Sequence, residues 1–175
     1  PSLNIGTTYT PVPGHIHPDF LDHPEKDYLV RLWNAVWNNN FFDPAFNGFY
    51  PDDCLKRMPN DLVQDGDMDI CRCDFDFVGL QHYSPIYFRP DNETVLGVNF
   101  SQRPDDVEVT GIGWEIAPDA FRDCLIRLKE TYGNKNWIIT ENGYADHDVV
   151  ADDGHVHDDP RISYLQRYLL ALKDA

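Results

Sequence analysis

Residues 137–144, WIITENGY, constrain the fold more than any other stretch of the chain. Trp137, Ile138 and Ile139 form a short apolar run with two β-branched residues, which suits a strand buried on both faces in a parallel sheet. The run breaks off at Thr140, Glu141, Asn142 and Gly143. A carboxylate ending a buried strand is costly unless it opens into a cleft or finds a partner. Two readings of Glu141 follow. Either the strand emerges into solvent and Asn142-Gly143 makes an ordinary turn, or Glu141 sits at the carboxyl end of a barrel strand, where α/β barrels carry their reactive groups.

Elsewhere the chain repeats this arrangement. Residues 73–84, CDFDFVGLQHYS, predict a second buried strand whose core of Phe77, Val78, Gly79 and Leu80 gives way to Gln81, His82 and Tyr83. A glycine inside a strand adds no packing, so Gly79 marks close approach by a neighbour. Residues 2–9, from Ser2 to Tyr9, predict another strand, with Leu3 and Ile5 alternating before Thr7, Thr8 and Tyr9. Helical spacing places Leu29, Leu32, Trp33, Val36 and Trp37 on one face of a helix over 27–38. Residues 41–53, FFDPAFNGFYPDD, read as an ordered turn, and 85–107 as a long excursion with one short strand near 94–100. A helix over 118–132 starts with Pro118, buries Phe121, Cys124, Leu125 and Leu128, and ends at Gly133. A last helix, capped by Asp159 and started by Pro160, carries Ile162, Leu165, Tyr168, Leu169 and Leu172 on one face.

Three buried strands separated by helices, each ending in polar residues, point to successive βα units sharing one functional edge. Three strands do not close a barrel, and 175 residues fall short of the roughly 250 that a (β/α)8 barrel usually takes. The α/β fold is therefore either a small open domain or a single partial barrel over 1–175, completed by sequence outside this chain.

The net charge of −16, from 30 acidic and 14 basic residues, repels polyanions and argues against nucleic acid or an anionic membrane as partner. No apolar run approaches the roughly 20 residues of a membrane span, and the amino terminus has no basic or long hydrophobic targeting segment. Cys54, Cys71, Cys73 and Cys124 form no CxxC pair and point to reduced thiols in a cytosolic protein. His15, His17 and His23, and the His/Asp loop at 146–158, lack the spacing of zinc or calcium sites and read as solvated loops.

Five segments, taken in order, resemble the family 1 glycoside hydrolases, retaining β-glycosidases on a (β/α)8 barrel. ITENG at 139–143 is similar to that family's nucleophile signature, DFVGLQHYS at 76–84 to its sixth strand, and GWEIAPDAF at 113–121 to its approach to helix six. DDPRISYLQRYL at 158–169 is similar to the segment after strand seven, and FFDPAFNGFYP at 41–51 to the one after helix five. The resemblance implies a section from about strand five to helix seven. It makes Glu141 the nucleophile that attacks the anomeric carbon, and Tyr83 the phenol that orients it. Trp114 and Arg161 match as structural residues.

The family commonly has Asn-Tyr-Tyr where this chain has Gln81, His82 and Tyr83, which leaves the contact of Gln81 open. Strand alternation turns His82 away from Gln81 and Tyr83. The family's acid/base glutamate, in an Asn-Glu-Pro triplet, has no counterpart here, nor do its sugar-binding Gln, His and Trp from strands one, three and eight. A retaining mechanism needs two carboxyl groups about 5 to 5.5 Å apart, and this chain offers one. The resemblance thus implies a β-glucosidase or β-galactosidase type of hydrolase acting on small β-glycosides without cofactor or metal, inactive until complementary barrel sequence joins it. A non-catalytic carbohydrate-binding or scaffold protein is the rival from another class, and a metal-dependent hydrolase using the loop at 146–158 is the third reading.

Overall fold

Strand direction decides where the polar residues gather. The structure, a computed structural model, describes residues 3–175. In order the elements are β1 (Gly6–Tyr9), β2 (Gly14–Ile16), α1 (Lys26–Asn34), α2 (Asn40–Phe46), α3 (Asp52–Leu55), α4 (Asp67–Cys71), β3 (Phe77–Gln81), β4 (Ile86–Pro90), β5 (Val98–Ser101), α5 (Pro118–Tyr132), β6 (Trp137–Glu141) and α6 (Asp159–Asp174). β1, β3 and β6 pair in parallel in that spatial order. Parallel neighbours require crossover connections, so Tyr9, Gln81 and Glu141 all finish at one edge of the sheet.

Gly79 explains how closely these strands approach. A Cβ there would stand 2.6 Å from Thr8 Oγ1 on one side and 2.9 Å from Thr140 Cγ2 on the other. The β3–β6 register runs Gly79 opposite Ile138 and Leu80 opposite Ile139, then shifts so that Gln81 faces Glu141. Thr140 is the extra residue, its hydroxyl donating to the Leu80 carbonyl at 3.2 Å. Such bulges re-aim a side chain. An unbroken register would set Glu141 against His82, on the other face of the sheet.

Helices cover the sheet through Phe42, Val78, Leu80, Cys124, Leu128 and Tyr132. A second layer packs α1 on a small sheet in the order β2-β4-β5, with Trp33 stacked on Phe88 at 4.9 Å. A third joins α5 to α6 through Ile116, Phe121, Tyr164, Tyr168 and Ala171.

Several expectations are corrected. The amino-terminal strand starts at Gly6, leaving Leu3 and Ile5 exposed; before it, Ile5 is bonded to Asp76, just ahead of β3. Ser2 lies outside the described residues. The helix over 27–38 is interrupted by a π-helical turn at Ala35–Asn39, which adds a residue to the turn and buries Ala35 and Asn38 while leaving Trp37 exposed. Asn38 then bonds both backbone groups of Val12, its Oδ1 accepting at 2.7 Å and its Nδ2 donating at 3.0 Å. The expected turn at 41–53 begins as α2, with Pro44 inside the helix.

The excursion holds two strands, and β2, which pairs with β4, went unforeseen. β6 is not buried on both faces. It is a sheet edge among the described residues, and Ile138 is 47% exposed. α6 buries Tyr164, Tyr168 and Ala171 instead of the leucine stripe, so Ile162, Leu165, Leu169 and Leu172 face outward. Asp158, not Asp159, takes the cap position, and its carboxylate turns to Arg161.

Candidate active site

At the polar edge the Glu141 carboxylate is exposed and held at both oxygens. Gln81 Nε2 donates to Oε1 at 2.6 Å and the Tyr83 hydroxyl to Oε2 at 2.8 Å. Thr10 Oγ1 donates to Gln81 Oε1 at 2.6 Å. A carboxylate only accepts, so the amide nitrogen of Gln81 must face it and its oxygen must take the threonine proton. The chain of donors from β1 through β3 to β6 is therefore polarised in one direction, which strengthens each link.

The Tyr83 phenol is pushed above its ordinary pKa, first by its bond to Glu141, so it keeps its proton. Its ring meets Trp114 edge to face at 5.3 Å. Trp114, Gln81, Tyr83, Thr10 and Val12 line a cleft of about 280 Å³ beside the carboxylate. The Val12 wall of that cleft is the backbone that Asn38 holds.

His82 takes the opposite direction. It is 2% exposed and packs against Phe121 at 5.0 Å between centroids, with neither ring nitrogen bonded to protein. Burial pushes its pKa down to about 4, which keeps the ring neutral. A neutral imidazole packed against Phe121, with neither nitrogen bonded to Glu141, takes no part in holding that carboxylate.

Behind Glu141 the next residue is tied down as well. Asn142 Nδ2 donates to the His82 carbonyl at 2.8 Å and to the Tyr164 hydroxyl at 2.9 Å. Farther on, Arg161 gathers the loop at 145–158: its Nε donates to the Tyr144 carbonyl at 3.1 Å, one terminal nitrogen reaches Asp148 at 3.0 Å and the other Asp158. Among the described residues no group of three or more His, Cys, Asp or Glu side chains could hold a metal ion. His157 in this loop pairs with Asp153 at 2.9 Å.

Sequence reasoning missed Thr10, Asn142 and the Thr140 bulge. A polar residue directly after β1 was a usable signal for Thr10, because polar residues also close the runs of β3 and β6 at Gln81 and Glu141. Asn142 looked like a turn residue, and nothing in the spacing announces a one-residue bulge.

Comparison with known proteins decides the family. The sequence model of Glycosyl hydrolase family 1 matches residues 21–175. This chain belongs to glycosyl hydrolase family 1. Beta-glucosidase A of Thermotoga maritima is 37% identical over 160 residues, covering 89% of this chain and 35% of that protein. The crystal structure of a beta-glucosidase from Exiguobacterium marinum superposes with a TM-score of 0.84 at 32% identity, covering 98% of this chain and 39% of that one. A beta-glucosidase from Thermotoga maritima in complex with glucoimidazole gives the same TM-score and identity, with coverage of 98% and 38%.

This chain thus spans little more than a third of the length of the family members it matches. Its fold is part of a (β/α)8 barrel, about three strands with their helices. Among the described residues one face of β6 and the outward leucines of α6 are left without cover.

Proposed function

We propose that these residues are the nucleophile-bearing section of a retaining β-glycosidase of the β-glucosidase type, with Glu141 as nucleophile and Tyr83 and Gln81 orienting it. The single observation that supports this most is the grip on Glu141: Gln81 at the end of β3 and Tyr83 just beyond it take one oxygen each, and both line an aromatic-walled cleft. Relatives named as beta-glucosidases, and a related structure holding glucoimidazole, favour a small β-glycoside as substrate.

In this reading a Glu141 oxygen attacks the anomeric carbon as the bond to the leaving oxygen breaks. A second carboxyl group gives the leaving oxygen its proton, then takes one from the water that cleaves the glycosyl ester. Donors to both oxygens fix the carboxylate in one orientation for attack. The family's Asn-Glu-Pro triplet is absent from this sequence. The proton donor therefore comes from complementary barrel sequence, and residues 1–175 by themselves form one partial domain with no useful hydrolysis.

A fluorosugar that traps glycosyl esters tests the assignment in the protein with its complete barrel. Peptide mass spectrometry should find the adduct on Glu141, and an adduct on another residue overturns the reading. The absent triplet favours one alternative, a non-catalytic sugar-binding scaffold. Intact mass of the native protein separates the two: a polypeptide of 175 residues that binds glucoimidazole without turnover would support the scaffold.

A further inference from the structure

α6 carries two phenols that this chemistry does not use, and both reach the back of the residue pair that it does use. Tyr164 and Tyr168 lie one turn apart, 1% and 2% exposed, with rings stacked at 4.1 Å. Packing against Ile116, Phe121 and Ala171 accounts for the rings. The hydroxyls need a separate account. That of Tyr164 accepts from Asn142 Nδ2 at 2.9 Å, and Asn142 directly follows Glu141. That of Tyr168 donates to the Tyr83 carbonyl at 3.2 Å and accepts from the Ala117 amide at 3.1 Å.

Regular pairing between β3 and β6 is already disturbed here. The bulge shifts the register at Gln81, and the His82 amide donates to the Glu141 carbonyl at 3.0 Å just beyond it. Past that point the backbone around Glu141 and Tyr83 depends on side-chain bonds. α6 supplies one beyond each strand end, to the Asn142 side chain after β6 and to the Tyr83 carbonyl after β3.

We infer that Tyr164 and Tyr168 are positioning residues, whose hydroxyls fix the Asn142 side chain and the Tyr83 backbone so that carboxylate and phenol stay in contact. The inference rests on Glu141 being the nucleophile. A buried, bonded phenol stabilises a fold in any case, so a lower melting temperature decides nothing and the test reads reaction rate.

The test makes Tyr164→Phe and Tyr168→Phe in the complete-barrel protein, each also in a Tyr83→Phe background. Each single variant should be labelled at Glu141 by the trapping fluorosugar roughly tenfold more slowly, because small misplacements of reacting groups are expensive. Affinity for glucoimidazole should hold, and Tyr168→Phe should add nothing once Tyr83 has lost its hydroxyl. Labelling at the wild-type rate by either variant, or, for Tyr168→Phe, the same slowing with and without the Tyr83 hydroxyl, overturns the inference. Wild-type protein labelled elsewhere than Glu141 removes its foundation, and that control separates the two failures. Each phenol holds a different strand end, so either variant decides the matter if the other does not fold.

Discussion

Gln81 and Glu141 face one another across β3 and β6 because the strand register slips by one residue at Thr140. The slip puts the carboxylate on the side of Gln81 and Tyr83 and away from buried His82. It also makes the Gln81–Glu141–Tyr83 group sensitive to changes that touch no charged atom.

The first such change is at Gly79. Gly79→Ala would drive a methyl group into Thr8 and Thr140, whose β-branched side chains have little freedom to withdraw. A loss of about 1 to 3 kcal/mol is expected by denaturant titration. Thr8→Ala made together with Gly79→Ala should recover part of it.

Tyr83 and Glu141 should reveal their bond from both ends. Glu141→Gln removes the carboxylate whose hydrogen bond, ahead of its charge, raises the phenol's pKa, so the Tyr83 pKa should move back down toward the ordinary value. NMR titration of labelled tyrosine would follow it. Turnover by the complete-barrel protein should vanish in Glu141→Gln with the far-ultraviolet spectrum unchanged. Tyr83→Phe should lower kcat by about a hundredfold, the usual scale for removing one well-placed donor.

His82 sets a pH limit. Its folded-state pKa of about 4 lies below the ordinary 6.5, so the unfolded chain binds the proton more readily. Its contribution is complete above about pH 6.5 and is lost as pH falls toward 4, by about 3 kcal/mol in all. His82→Phe should flatten this part of the melting temperature profile between pH 4 and pH 7. An unchanged slope would show that other groups carry it.

The outer face of α6 tests whether further barrel sequence covers it. Leu169 is 63% exposed. In the 175-residue chain alone Leu169→Gln should change stability by no more than about 0.5 kcal/mol, as surface substitutions do. If complementary barrel sequence covers Leu169, the same change would bury an amide there and should cost about 2 kcal/mol. Parallel thermal melts of the two forms would show it.

The α/β alternation was legible because local chemistry writes it. Pro118 and Gly133 bracket α5 at the residues where the helix begins and ends, and the apolar run before Gln81 gave β3. Glu141, Tyr83 and Gln81 stood out because polar residues close apolar runs, and the family resemblance attached roles to them. What stayed hidden depends on contacts distant in sequence. The π-helical turn that buries Asn38 answers the backbone of Val12, 26 residues away. The leucines of α6 have the spacing of a buried stripe, and the sequence does not say that the two tyrosines take the inner face. β2 is three residues long and pairs with a strand 72 positions on, a register set by tertiary packing.

Arg161 fastens the loop at 145–158 near both ends, to the Tyr144 carbonyl and Asp148 on one side and to Asp158 on the other. Between those anchors the tip around Asp152 and Gly154 is free to differ in length without tugging on Glu141. A fluorophore, epitope or immobilisation handle spliced in there should leave the Gln81–Glu141–Tyr83 contacts untouched.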